Sequence, residues 1–319
     1  MTPYAAHSAL EPAGPYAARI LSLFYGYFDV CALVFTLVIA ALGFALGSSR
    51  KAEEAHEPTA IEAQRKRRTV TVATGLTVLT LAGLLIASVA TGHAMATLPA
   101  ENPIAVEVLG HKWWWEFRYP VSGQATRFST AYELHIPVGR TVLLKLIATD
   151  VIHSFWVPSL SGKEDAIPGK DRVLLLRADR AGVYEGQCAE YCGTEHANMR
   201  FLVIAEAPAQ FAAWENHQLS SPPPPTEPLR AHGLLVFMTS RCSNCHAISG
   251  TDAFATVGPD LTHFAARKRL AMGTLDNSAA ELARWISDPQ QVKPGVPMPS
   301  TPLAPPDLQA LVAYLRGLE

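Results

Sequence analysis

Residues 20–47 form an apolar run interrupted by a single charge, Asp29, and residues 69–95 form a second run with no charge at all. Each exceeds the roughly 20 residues that a helix needs to cross a bilayer core. The pattern therefore predicts two membrane-spanning helices joined as a hairpin. Beyond residue 95 the pattern changes to short β-branched and apolar runs at 104–109, 132–136, 141–147, 172–176 and 201–205, separated by turn residues such as Gly123, Pro137, Gly139 and Gly169. Such spacing predicts an antiparallel β-sandwich or barrel. A short helix over 208–218 closes it. Five prolines in residues 221–228 predict a stiff extended linker. After it, an apolar helix over 231–240 and a closing helix over 307–318 frame a small helical domain. The expected organisation is an outer segment 1–19, a hairpin 20–95 with its connection at 48–68, a β-domain 96–218, a linker 219–228 and a helical domain 229–319.

A length of 319 residues suits about two domains beside a membrane part. The high apolar fraction, 49%, fits a chain partly in lipid, and a net charge of −2 gives no basic footprint for nucleic acid. The connection holds Arg50, Lys51, Arg65, Lys66, Arg67 and Arg68, whereas only Arg19 precedes the first helix. By the positive-inside rule that connection is cytoplasmic, and everything after residue 95 lies outside. The first nineteen residues lack a basic start and a separate apolar core, so no cleavable signal peptide is predicted. Asp29 reads as a structural residue near a helix end.

Candidate chemistry is concentrated in the outer part. Of five cysteines, Cys31 sits in an apolar run and reads as a packing residue. Cys188 to Met199 spells C-A-E-Y-C-G-T-E-H-A-N-M, which puts Cys188, Cys192, His196 and Met199 in one loop. Thiolate and thioether select Cu(I), and imidazole accepts both copper states, so the set suits electron transfer. A second thiolate exceeds the needs of a mononuclear blue-copper site and allows two sulfurs to bridge two copper ions. A further imidazole is expected from His153 in D-V-I-H-S-F-W-V-P. The rival reading is a Cys188–Cys192 disulfide with His196 on the surface. His111, His135 and His217 read as solvated or packed. In the run Trp113, Trp114, Trp115, strand alternation would place the first and third on one face.

Cys242, Ser243, Asn244, Cys245 and His246 form C-x-x-C-H, the attachment signature of c-type haem. His246 would bind the iron from one side. Met298, in P-G-V-P-M-P-S, is the expected second ligand, and methionine raises the potential. Met238 and Met272 read as packing residues, and His263 is the rival that is not a methionine.

The pattern C-x-E-x-C-x-x-x-H-x-x-M, the upstream D-V-x-H-S-F, the D-A-I-P-G at 165–169 and the run G-H-K-W-W-W-E-F-R-Y-P resemble subunit II of cytochrome c oxidase over residues 20–218. The resemblance implies a cupredoxin-like fold with a binuclear CuA centre held by His153, Cys188, Cys192, His196, Met199 and the main-chain carbonyl of Glu190. It also implies that the Glu190 side chain reaches a magnesium ion at the boundary with subunit I, and that electrons enter through Trp113. Residues 229–319 resemble a class I cytochrome c, with Gly258, Pro259 and Asp260 where that family has a proline carbonyl bonded to the ligand histidine. Together the parts resemble a caa-type haem-copper oxidase subunit. That implies a two-pass protein of the bacterial plasma membrane with both redox domains on the periplasmic side. It also implies covalent haem c and copper, catalytic subunit I and other oxidase subunits as partners, and cytochrome c or another respiratory donor. Oxygen reduction and proton pumping would belong to subunit I. Family members often carry a proton-channel glutamate near the second helix; here R-K-R-R-T-V stands there, with Glu62 upstream, and the role is not transferred. Two alternatives stay open: the electron-accepting subunit of a CuA-type nitric oxide reductase, and a membrane-anchored copper-delivery protein.

Overall fold

The computed structural model describes residues 6–49, 59–98, 102–120 and 127–319. Arg50, Lys51 and the Gly123 turn lie outside the described residues.

Helices α1, Pro15–Ser49, and α2, Ala60–Ala96, are both long and apolar enough to cross a membrane. Phe28, Phe35, Leu79 and Ile86 all point outward. Helices that are apolar on every face belong in lipid or in a large core. The Tyr27 hydroxyl donates to the Leu84 carbonyl at 2.9 Å and ties the pair together. Helix α2 starts nine residues before the apolar run, so Arg65, Lys66, Arg67 and Arg68 are helical and not part of a loop. Apolar periodicity marks only the lipid-facing length; the true start is fixed by a cap. The Glu62 N–H donates to Thr59 Oγ1 at 3.3 Å, and the Thr59 N–H donates to the Glu62 carboxylate at 2.8 Å. This reciprocal pair satisfies two free helix-end donors. Asp29 lies well inside α1 on an exposed face, not at a helix end.

The β-domain is a sandwich of two five-stranded sheets. The strands are β1 Ile104–His111, β2 Trp114–Pro120, β3 Arg127–Ala131, β4 Glu133–Pro137, β5 Val142–Ala148, β6 His153–Trp156, β7 Glu164–Ala166, β8 Arg172–Leu176, β9 Gly182–Cys188 and β10 Arg200–Glu206. One sheet runs β3-β2-β1-β5-β8 and the other β4-β10-β9-β6-β7. Each contains one parallel pair, β1 with β5 and β4 with β10, so the sandwich is mixed and not purely antiparallel. Alternation along a strand reports which side chains are buried, but it is blind to the direction of the neighbouring strand. In β5 every second residue is buried, as a half-covered sheet requires. Between the sheets Trp115, Phe117, Phe155 and Phe201 pack ring on ring, with Phe155 and Phe201 stacked at 4.4 Å. Residues 6–17 are stitched to this domain: the Ala6 N–H donates to the Val183 carbonyl at 2.9 Å and the Ala13 N–H to the Ser159 carbonyl at 2.7 Å. Helix α3, Pro208–Gln218, follows β10.

Residues 221–227 carry neither helix nor strand. The last part is helical, with α4 Pro228–Thr239, α5 Ala279–Ser287, α6 Pro289–Val292 and α7 Pro305–Leu315, plus two two-residue β pairs. Phe237 and Tyr314 join α4 to α7 in a core of their own.

Candidate functional site

Cys188 ends β9 and Arg200 starts β10, so the intervening turn is closed by their pairing, with the Cys188 N–H donating to the Met199 carbonyl at 2.9 Å. Strand β6 pairs with the other edge of β9 and sets Phe155 opposite Cys188, which brings His153 beside the turn. The result is a chain of soft donors. Cys188 Sγ lies 3.8 Å from Cys192 Sγ, 3.9 Å from His153 Nδ1 and 3.2 Å from the Glu190 carbonyl oxygen. Cys192 Sγ lies 3.5 Å from His196 Nδ1 and 3.8 Å from Met199 Sδ. Both thiols are buried and free, with no disulfide between them. Two sulfurs at the centre, one imidazole nitrogen on each, and a thioether and a carbonyl at the flanks make a donor set that fits a pair of soft ions. Among the described residues His153, Cys188 and Cys192 form the one cluster of His, Cys and acidic groups close enough to share a metal.

Asp150 orients this set. Its carboxylate stands 2.8 Å from His153 Nε2 and is held by the main-chain N–H groups of Lys112 and Val151 at 2.7 and 2.6 Å. A carboxylate on Nε2 puts the proton there and leaves Nδ1 free to face the sulfurs. Gly110 makes the approach possible, since a Cβ there would stand 2.9 Å from the His153 ring. Burial opposes charge on His153, yet its bonds to Cys188 and Asp150 raise its pKa overall. The neighbouring Cys192 thiol, then His153 and the Glu190 and Ser154 main chain, hold Cys188 well below the usual thiol range, against burial. Cys192 is pushed up by Cys188 first and by burial second. A poised thiolate beside a protonated partner is a pair that a metal can deprotonate. The Glu190 side chain accepts from the Tyr191 N–H at 3.2 Å.

Trp113 sits in the turn before β2, and strand alternation does not apply to it. Trp115 is core, Trp114 stacks on His111 at 4.2 Å, and the Trp113 indole N–H donates to the Cys192 carbonyl at 2.9 Å. His135 is half-buried between Glu133 and Glu206, and the His217 ring lies 4.6 Å from that of His263.

The second site begins where α4 stops. Arg241 takes the left-handed conformation, and Cys242–Asn244 form one tight turn, so that the His246 N–H donates to the Cys242 carbonyl at 3.0 Å. His246 Nδ1 lies 2.8 Å from the Pro259 carbonyl, to which it donates, and this leaves Nε2 as the ring's ligand nitrogen. Gly258 allows that ring position, because a Cβ would fall 2.7 Å from His246 Cε1. Burial first, partly offset by the bond to Pro259, lowers the pKa of the imidazole. The cavity beside it measures about 460 Å³ and is lined by Cys242, Cys245, His246, Leu311, Met272 and Met298 among others. Apolar walls, two thiols and a fixed imidazole fit a covalently held haem. His263 is not on the cavity wall; its Nδ1 lies 2.9 Å from the Glu319 carbonyl. Trp113, Trp114 and Tyr132 of the β-domain also line the cavity.

Asp150 and Lys293 are the residues that sequence reasoning missed. Asp150 stood inside the D-V-x-H motif, three residues before His153, and that spacing was its one available signal. Lys293 carries no local signal.

Fold and site together define a protein with two membrane-length helices, a cupredoxin-like β-domain and a helical domain that carries a c-type haem attachment motif. Residues 121–206 match the family described as cytochrome c oxidase subunit II, periplasmic domain, and residues 231–319 match cytochrome c. Cytochrome c oxidase subunit 2 of Alkalihalophilus pseudofirmus is 36% identical over 98% of this chain and 91% of its own length. The same subunit of Bacillus sp. strain PS3 is 34% identical over 85% of this chain and 79% of its own. A crystal structure of the periplasmic domain of subunit II of cytochrome oxidase from Bradyrhizobium japonicum, 28% identical, covers 38% of this chain and 95% of that one with a TM-score of 0.35. The chain belongs to the cytochrome c oxidase subunit II family, and it carries a fused cytochrome c domain. Its two apolar helices and periplasmic domain fit a two-pass membrane protein.

Proposed function

We propose that this subunit takes electrons from cytochrome c or another respiratory donor onto a haem c held by Cys242, Cys245, His246 and Met298. They pass to a binuclear copper centre held by His153, Cys188, Cys192, His196, Met199 and the Glu190 carbonyl, and from there to subunit I. Subunit I then reduces oxygen to water with proton pumping. The observation that carries this reading is the position of Trp113, which lines the haem cavity with its ring and bonds the copper loop through its N–H. When bound, the two cofactors supply the one-electron couples. The protein supplies the geometry: Asp150 fixes the His153 ring, Pro259 fixes the His246 ring, and the largely apolar cavity would keep water from a bound haem. The Glu190 carboxylate is read as a ligand to magnesium at the boundary with subunit I. The site faces the periplasm of a bacterial plasma membrane. A copper-delivery protein has no use for the haem cavity beside the copper loop. The test is purification from membranes with metal, haem and subunit analysis. The expected result is copper and haem c in this chain beside a catalytic partner with a haem and copper pair; a partner with haem and non-haem iron would favour nitric oxide reduction instead.

A further inference from the structure

Lys293 stands at the end of α6, five residues before Met298, and belongs by sequence to the haem domain. Its side chain is nevertheless 1% exposed and lies against the copper domain. The ammonium donates to the main-chain carbonyl of Trp113 at 3.2 Å and to that of Asn198 at 3.4 Å. Asn198 lies between His196 and Met199 in the copper loop, and its side-chain amide donates to the buried Glu195 carboxylate at 2.8 Å. Burial holds the lysine pKa down to about 8, partly opposed by the negative charges of Glu195 and Cys192. Two residues on, Gly295 lies beside the Trp113 ring, and a Cβ there would stand in ordinary contact with the indole at 3.5 Å. Trp113 is left 9% exposed.

An ammonium removed from water must find acceptors, and a position that satisfies it specifies one arrangement of the parts around it. A slip of the haem domain by an ångström would strand this cation. We propose that Lys293 is a positioning residue that clamps the haem domain onto the copper loop, covers Trp113, and so makes this chain's own haem the donor to copper in place of an outside protein. The transfer it serves moves one electron from ferrous haem to the oxidised copper pair, leaving ferric haem and one-electron-reduced copper, with no bond made or broken. This inference rests on the two-cofactor reading above.

Two experiments on the intact, detergent-solubilised oxidase test it. In the first, an amine-reactive reagent is applied and the labelled peptides are mapped, with the unfolded chain as the rate reference. Lys293 should be protected at least about tenfold more than the exposed Lys163 and Lys268, since labelling must await local opening. Equal labelling would overturn the clamp, whatever the cofactors do. In the second, Lys293→Met keeps the stem and removes the two hydrogen bonds. The rate of haem-to-copper transfer after rapid haem reduction should fall about tenfold or more, with haem and copper content and both potentials unchanged. Direct reduction of copper by a soluble donor should become faster. Wild-type transfer in this variant would also refute the proposal, and if the variant fails to load its cofactors the labelling result decides. Absence of copper or haem from the wild-type chain would instead sink the two-cofactor reading and leave the labelling test intact.

Discussion

Trp113 and Cys192 are 79 positions apart in the chain, yet the indole N–H of the first donates to the main-chain carbonyl of the second at 2.9 Å. The contact joins the wall of the haem cavity to the centre of the soft-donor cluster. Trp113→Phe keeps most of the ring packing and deletes the bond. Electron transfer from haem to copper should slow about tenfold or more, which corresponds to about 1.4 kcal/mol of barrier. Rapid-mixing spectroscopy on cofactor-replete protein would measure it, and an unchanged rate would remove Trp113 from the route.

Cys188 and Cys192 sit at the middle of the donor chain, each within reach of one imidazole. Replacing either by serine should abolish the binuclear centre and leave at most one copper per chain. Metal analysis and the electronic spectrum would show it, with haem content as the internal control.

In the proposed copper centre the Asp150 carboxylate would act on the metal through His153. Asp150→Asn should weaken copper affinity by roughly 10- to 100-fold, the usual effect of losing an outer partner of a ligating imidazole. Competition with a graded copper chelator reads this directly.

Both Met272 and Met298 line the haem cavity. Met298→Leu should lower the haem reduction potential and open the iron to added small ligands, because a thioether ligand raises the potential. Met272→Leu should do neither. Reversed outcomes in a redox titration would exchange the two assignments.

His135 lies between Glu133 and Glu206, stacked on Trp214 at 4.1 Å. Burial lowers its pKa, but the two carboxylates outweigh that and raise it above the ordinary value of 6.5. The folded protein therefore binds the proton more tightly than the unfolded chain. Its stabilising contribution is complete below pH 6.5 and disappears as pH rises through the folded value. His135→Gln should flatten the fall in stability above that pH, as followed by urea unfolding of the solubilised protein.

Phe201 is fully buried beneath Trp115, Phe117 and Phe155. Phe201→Ala should cost about 3–5 kcal/mol through lost burial and the cavity left behind. Phe201 is also the second residue of β10, which closes the copper loop, so copper loss should accompany the lower unfolding midpoint.

The amino-acid sequence by itself determined the features that depend on near neighbours. Two long apolar runs need only their own length to mark a bilayer crossing, and Cys188 to Met199 or Cys242 to His246 carry their donors within a single turn of chain. Helix α3 and strand β8 were legible for the same reason, since periodicity and turn residues act locally. Tertiary structure decided what depends on distant partners. The parallel pairing of β1 with β5 and of β4 with β10 is a choice between neighbours that no alternation within a strand encodes. The start of α2 was set by a cap among charged residues, outside the apolar signal. Asp150 became an orienting group only when the fold set its carboxylate against His153 Nε2, and Lys293 reached Trp113 across 180 positions. Hydrophobic pattern reports what must leave water. Where a buried charge ends up is decided by which acceptors the folded chain brings to it.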